Sequence, residues 1–195
     1  MGIFDLFNQK KAPPPPPDLG AEIDLGLAVL TELALQAMGV GPDDAVLEIG
    51  FSQDWALRQL MPLLKRGRYA GLDTDARAIA SAAAEFPSHF SHFKADFREG
   101  VVSKIPYPAS HFTRVFTLNT VGTWLSVPKG LSEIFRVLSP GGRVALGFLP
   151  SVRQRGHVNT ATELKRLLGG AGFADMQVIQ TPHEDEGWVA LATRP

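Results

Sequence analysis

The chain has no cysteine among its 195 residues, which excludes disulfides, cysteine nucleophiles and thiolate zinc sites. It also has almost no excess of charge. Nineteen Lys and Arg against twenty Asp and Glu leave a formal net charge of -1, so no general field draws the chain to nucleic acid, and no nucleic-acid partner is expected. No apolar run approaches the length a bilayer span needs. The opening M1-G-I-F-D-L-F-N-Q-K-K11 lacks the basic-then-apolar order of a secretory signal, so the expectation is a soluble, cytoplasmic protein. Gly2 sits where a myristoylated glycine would, but Leu6 holds the position that wants Ser or Thr.

What is present is an ordinary globular balance, 45% hydrophobic and 20% charged, in a length suited to one well-buried domain. Five prolines, Pro13 to Pro17, cannot donate backbone hydrogen bonds and predict an extended spacer. The chain therefore divides into a tail over 1–12, a proline-rich linker over 13–19 and a domain over 20–195. In the tail, Ile3, Phe4, Leu6 and Phe7 read as a frayed end, with a docking peptide for a protein partner as the alternative.

Apolar spacing predicts a helix over 21–38, stopped at Gly39 and Gly41. Strands and helices then alternate: strands over 45–49, 68–72, 92–95, 114–118 and 143–148, with helices over 54–65, 75–86, 127–138 and 161–170. Pro62 should kink or shorten the helix that begins at Asp54. Asp75, Ser126 and Thr160 are candidate N-caps, Thr160 with Glu163 as a capping box, and P140-G-G142 should close the helix before Arg143. The last two strands, 176–181 and 187–193, are joined by the short P182-H-E-D-E-G187 and must run antiparallel. The predicted fold is α/β: a doubly wound, mostly parallel seven-stranded sheet with an antiparallel C-terminal hairpin.

In such a sheet ligands bind beyond the carboxyl ends of the strands. Glu48 and Gly50 close the first strand, where glycine lets backbone approach a ligand. Asp73 closes the second, where a carboxylate can accept from both hydroxyls of a ribose. Asp96 follows the third as predicted, within reach of a base's amino group. Each residue has a plainer role open to it, as turn, helix cap or surface loop.

These stretches resemble a class I S-adenosylmethionine-dependent methyltransferase of the type 11 group, over about residues 20–195. V46-L-E-I-G50 resembles the family's first motif, Y69-A-G-L-D73 its second and F93-K-A-D96 its third. I105-P-Y-P108 with H111-F-T-R-V-F-T-L-N-T120 resembles the fourth-strand region. L131-S-E-I-F-R-V-L-S-P-G-G-R-V-A-L146 resembles the run of helix, Pro-Gly-Gly turn and fifth strand, and L167-L-G-G-A-G-F173 the segment before the final hairpin. The resemblance implies a Rossmann-like fold and S-adenosyl-L-methionine as cofactor. Glu48, Gly50 and Ser52 would line its methionine part, Asp73 its ribose, and Asp96 with Phe97 its adenine, while Asn119 would lie near the sulfonium and the acceptor.

The chain departs from the family's pattern in four places. Ser52 and Asp54 replace the glycines that normally follow Gly50, Thr113 replaces an aspartate, and V121-G-T-W124 lacks an aromatic pair. All are expected on the site side of the sheet. Asp54 would repel the cofactor's carboxylate and attract its ammonium, so cofactor binding itself stands in question.

S151-V-R-Q-R-G-H157 offers either an anion clamp for the acceptor or a solvated basic loop. Trp124 offers a lid or ordinary packing. His89 and His92 lack carboxylate partners, so no metal is expected, and H183-E-D-E186 reads as a solvated hairpin tip. Two functions remain open: methyl transfer from S-adenosylmethionine to a small-molecule acceptor, or a non-catalytic methyltransferase-like interaction module. A nicotinamide-dependent dehydrogenase is disfavoured because the first turn lacks G-x-G-x-x-G.

Overall fold

The computed structural model describes residues 25–51, 55–85, 94–149, 160–181 and 187–195. The tail, the proline linker, Ser52, Asp54, the two candidate histidines, the loop 151–159 and the hairpin tip 182–186 lie outside the described residues.

Helix α1 (Leu25–Met38) leads into strand β1 (Ala45–Ile49), helix α2 (Trp55–Leu60), strand β2 (Arg68–Asp73) and helix α3 (Ala76–Glu85). Strands β3 (Lys94–Glu99) and β4 (Phe112–Leu118) follow, then a short 3-10 turn over Val121–Thr123 and helix α4 (Val127–Val137). Strand β5 (Leu138–Phe148), helix α5 (Ala161–Gly170) and strands β6 (Ala174–Gln180) and β7 (Trp188–Thr193) complete the chain. The sheet has seven strands in the order β3-β2-β1-β4-β5-β7-β6. β1 to β5 pair in parallel, whereas β7 runs antiparallel to both β5 and β6. Chain order reverses between β1 and β4, so the switch point lies at the ends of those two strands.

Period-two alternation fills both faces of the sheet. Ala45, Leu47 and Ile49 join Phe112, Val115, Leu131 and Leu164 in a core beneath α4 and α5. Val46 joins Leu33, Met38, Leu57, Tyr69 and Phe116 beneath α1 and α2. Phe112 and Phe116 are fully buried, and truncating a buried aromatic of this kind to Ala costs about 3–5 kcal/mol.

Several sequence expectations are met. α2 ends at Leu60, two residues before Pro62, because proline cannot donate to the helix ladder. Thr160 accepts from the Glu163 N–H at 3.2 Å, and Asp75 accepts from the Arg77 N–H at 2.8 Å. Ser126 occupies the N-cap of α4 without a side-chain cap hydrogen bond.

Several boundaries differ from the sequence reading, among them the start of β6 at Ala174 rather than at 176. P140-G-G142 does not close a helix, since α4 ends at Val137 and β5 already begins at Leu138. Gly141, at φ +75, instead donates its N–H to the Arg194 carbonyl at 2.7 Å, and Gly142 accepts from Arg194 N–H at 2.9 Å, so the C-terminal segment holds a bulge where the β4–β5 register shifts. β4 begins two residues early, at Phe112. β3 runs on to Glu99, because its parallel register with β2 is kept through the pair of Asp73 and Glu99.

The connection from β3 to β4 is anchored from α4. Arg136 donates to the carbonyls of Tyr107 at 2.8 Å and Ile105 at 2.9 Å. Glu133 accepts from Ile105 N–H at 2.9 Å. The Arg136 hydrogen bond holds the Glu133 carboxyl below the usual range and keeps it an acceptor. The I105-P-Y-P108 stretch is thus a structural latch, and it fixes the loop that precedes it.

Candidate functional site

A cleft of about 350 Å³ opens at the carboxyl ends of β1 to β4, a size within the range of about 300–1,000 Å³ typical of small-molecule sites. Ile49 and Gly50 come from β1, Leu72, Asp73 and Thr74 from β2, Gly100 to Ser103 from the end of β3, and Thr120 with Thr123 to Ser126 from the segment after β4.

Gly50 sits at the switch point with φ +74, and its N–H donates to the Leu72 carbonyl at 2.7 Å. A Cβ there would lie 2.4 Å from the Thr120 methyl. The glycine is therefore required by its left-handed backbone and by Thr120, in addition to any approach of a ligand. Thr117 donates to the Ile49 carbonyl at 2.7 Å, so its single proton is used and the short hydrogen bond it shares with Thr120 must be donated by Thr120. Trp124 Nε1–H donates to Thr120 Oγ1 at 3.1 Å. One directed chain thus runs from Trp124 through Thr120 and Thr117 to the strand that carries Gly50.

Asp73 stands at the end of β2 with its side chain half-exposed in the cleft. Its Oδ1 accepts from Asp75 N–H at 2.9 Å, and Oδ2 has no partner among the described residues. Its backbone carbonyl accepts from Gly100 N–H at 2.8 Å, which brings the end of β3 beside it.

Glu48 lies one face away. It is 6% exposed, on the side of Val46 rather than of Ile49, and Tyr69 Oη donates to its Oε2 at 2.6 Å. Burial, with a smaller contribution from the Asp73 charge, pushes its carboxyl up to about 8 against the opposing pull of the Tyr69 hydrogen bond. Its Oε1 has no partner among the described residues. A buried carboxyl with one unengaged oxygen suits a cation, which would both ionise it and satisfy it.

Glu48 is not among the residues that line the cleft, and neither are Asp96, Phe97 and Asn119. Asp96 is in the middle of β3, paired in register with Ala70, three residues short of the strand's end. Its carboxylate is engaged by Arg98 at 2.9 Å and by Tyr107 Oη at 3.0 Å. Phe97 faces Phe51 at 5.5 Å and Tyr69 at 5.9 Å, inside an aromatic cluster on the α1–α2 face. The extra strand length moves the loop's start to Gly100, so Glu99 rather than Asp96 adjoins Asp73. Asn119 ends β4 with φ +60, and its amide oxygen accepts from Leu149 N–H at 2.7 Å, tying β4 to β5 rather than facing the cleft.

Thr113 also departs from expectation. It lies at the amino end of β4, where its hydroxyl accepts from Ala45 N–H at 2.9 Å and donates to Asp44 Oδ1 at 2.6 Å. That is the edge opposite the cleft. Of the departures the structure describes, only the V121-G-T-W124 segment belongs to the site side. The sequence reading missed Thr74, Gly100, Ser103, Thr120 and Leu125, and the signal for them was a glycine, Gly100, standing just beyond the third strand.

Comparison with known proteins agrees with this architecture. A family model described as a methyltransferase domain matches residues 47–146. The uncharacterized methyltransferase YdaC of Bacillus subtilis is 24% identical over 76% of this chain and 82% of its own length. The 2-phytyl-1,4-naphtoquinone methyltransferase of Synechocystis is 31% identical over 58% of this chain, which spans only 48% of that enzyme. A solved S-adenosylmethionine-dependent methyltransferase of Aquifex aeolicus superposes with a TM-score of 0.73 at 18% identity, covering 87% of this chain and 92% of that one, so the fold is shared.

Proposed function

The chain belongs to the class I S-adenosylmethionine-dependent methyltransferases, and from that premise we propose that it is an active enzyme that methylates a small-molecule acceptor. The observation that carries the reading is the cleft at the switch point, where Asp73, with one carboxylate oxygen unengaged, stands beside Gly50 and Gly100.

In this reading Asp73 Oδ2 accepts from the ribose hydroxyls, and its fixed Oδ1 keeps the carboxylate oriented. Thr74 and the backbone of Gly100 border the adenine in place of Asp96 and Phe97. Glu48 Oε1 takes the ammonium of the methionine part, which turns an unfavourable buried acid into a hydrogen-bonded ion pair. When bound, the cofactor supplies a methyl group on a cationic sulfur, which passes to the acceptor's nucleophile as the carbon–sulfur bond breaks to leave a neutral thioether. Trp124 and Leu125 exclude water from that side. Proximity and dryness provide most of the rate in such a displacement, so no acid–base dyad is required.

Relatives named for a naphtoquinone and for erythromycin support a small-molecule acceptor. The test is calorimetric titration of the full chain with S-adenosylmethionine and S-adenosylhomocysteine. Micromolar binding of both is expected. A folded protein that binds neither would reject the reading and leave the chain as a non-catalytic interaction module.

A further inference from the structure

Three large apolar side chains are exposed among the described residues, Leu63, Val101 and Leu125. Two of them, Val101 and Leu125, line this one cleft from different segments, the first after β3 and the second after β4. Leu125 is fully exposed, at 102%, and Val101 is 46% exposed. Each contributes apolar area that a ligand would remove from water.

Trp124, between the two in the lining, is held firmly. Its indole N–H is committed to Thr120, and a Cβ at Gly130 would lie 2.7 Å from its Cε3, so α4 presses on the ring where only glycine leaves room. An indole held by a hydrogen bond on its nitrogen and by helix packing on its benzene ring is preorganised, and costs little entropy to bind against. Among the described residues that line the cleft, Asp73 is the only charged side chain, and it is acidic. An anionic group beside it would meet its repulsion, and no described lining residue offers a cation against that.

We infer that the acceptor is an uncharged, flat apolar molecule that docks against the Trp124–Leu125 wall, with Thr120 as the residue that positions Trp124. This inference rests on the proposed methyl transfer and names its substrate class. The adenosine side of the cleft, formed by Leu72, Asp73 and Thr74 with Gly100, stays with the cofactor.

The test uses the full chain labelled with 5-fluorotryptophan and saturated with S-adenosylhomocysteine. The chain has three tryptophans, and the fluorine resonance of Trp124 is the one lost in W124F. The probes are 2-naphthol and 2-naphthoate, which share a ring system and differ in charge. 2-Naphthol should shift the Trp124 resonance saturably, with 2-naphthoate at least about tenfold weaker. L125D, at a fully exposed position, should weaken 2-naphthol by about tenfold, whereas L63D, at an exposed leucine outside the cleft lining, should leave 2-naphthol binding unchanged.

Equal or tighter binding of 2-naphthoate would overturn the inference, as would 2-naphthol binding that leaves Trp124 unmoved. So would loss of 2-naphthol binding on loading with S-adenosylhomocysteine, which would give the wall to the cofactor. A dimer that dissociates in L125D would give it to a second copy and overturn the inference equally. If calorimetry shows no S-adenosylhomocysteine binding, it is the methyl-transfer reading that fails, and the same probe pair on the unloaded protein still decides the chemistry of the wall.

Discussion

At the amino end of the sheet, polar groups are spent on the protein's own backbone. Arg114 donates to the carbonyls of Met38 at 2.9 Å and Gly39 at 3.3 Å, closing the end of α1, and its guanidinium lies 3.4 Å from the Asp44 carboxylate. Arg143 reaches the Ala37 carbonyl at 3.4 Å, and Thr113 joins Asp44 to Ala45. At the carboxyl end, Asp73 and Glu48 each keep an oxygen without a partner among the described residues, and Val101 and Leu125 stand in water. The first edge closes the fold, while the second carries unused hydrogen-bonding and apolar capacity, which is what a binding edge requires.

The largest effect that would break this division is expected at Gly50, where the binding edge also bears on stability. Gly50→Ala places a Cβ against the Thr120 methyl and forces alanine into φ +74, at an expected cost of about 3 kcal/mol in chemical denaturation. Adding Thr120→Ser should restore roughly half of that, because it removes the clashing methyl, keeps the hydroxyl that Thr117 and Trp124 use, and leaves the backbone strain. A harmless Gly50→Ala would show that the turn adapts.

Next in size is Arg114→Ala, which uncaps α1 and leaves Asp44 without its ion pair. Unfolding free energy should fall by about 2–3 kcal/mol, with S-adenosylhomocysteine affinity unchanged by calorimetry. A loss of affinity in the folded variant would mean that the two edges communicate.

Asp73→Ala is the complementary case. Cofactor affinity should fall by about 1–3 kcal/mol, while stability changes by no more than about 0.5 kcal/mol. Unchanged affinity would remove Asp73 from the site.

Counted per pH unit, the smallest effect concerns Glu48. Its carboxyl is raised from an ordinary 4.5 to about 8 by burial. Below about pH 4.5 it is neutral in both states. Above that the unfolded chain ionises while the folded chain keeps its proton, so the stability due to Glu48 is lost as pH rises toward 8. Between pH 5 and 8 the natural protein should therefore lose up to about 1 kcal/mol per pH unit more than Glu48→Gln does. Parallel denaturation profiles for the two would contradict the burial argument.

Much of the fold could be read directly from the chain. The bounds of β1 follow from the apolar run Ala45–Ile49 and those of α5 from helical spacing after the Thr160 cap, and the short link before Gly187 requires an antiparallel last strand. At the site, Gly50 and Asp73 were legible because each stands at the end of a strand with a buried interior. Asp96 was misplaced because β3 carries charges at Asp96, Arg98 and Glu99 that read as loop, and only its pairing with β2 extends it to Glu99. Thr113 was placed on the site side by analogy of pattern, although the start of β4 at Phe112 puts it at the opposite edge.

The sequence by itself determined the alternation of strands and helices, because periodicity and turn chemistry are local properties of the chain, and its motifs carried the resemblance to the family. Only the tertiary structure decided which polar residues share an edge. That depends on strand register and on hydrogen bonds between residues far apart in sequence, such as Thr117 to Ile49 and Asn119 to Leu149, and no local pattern records them.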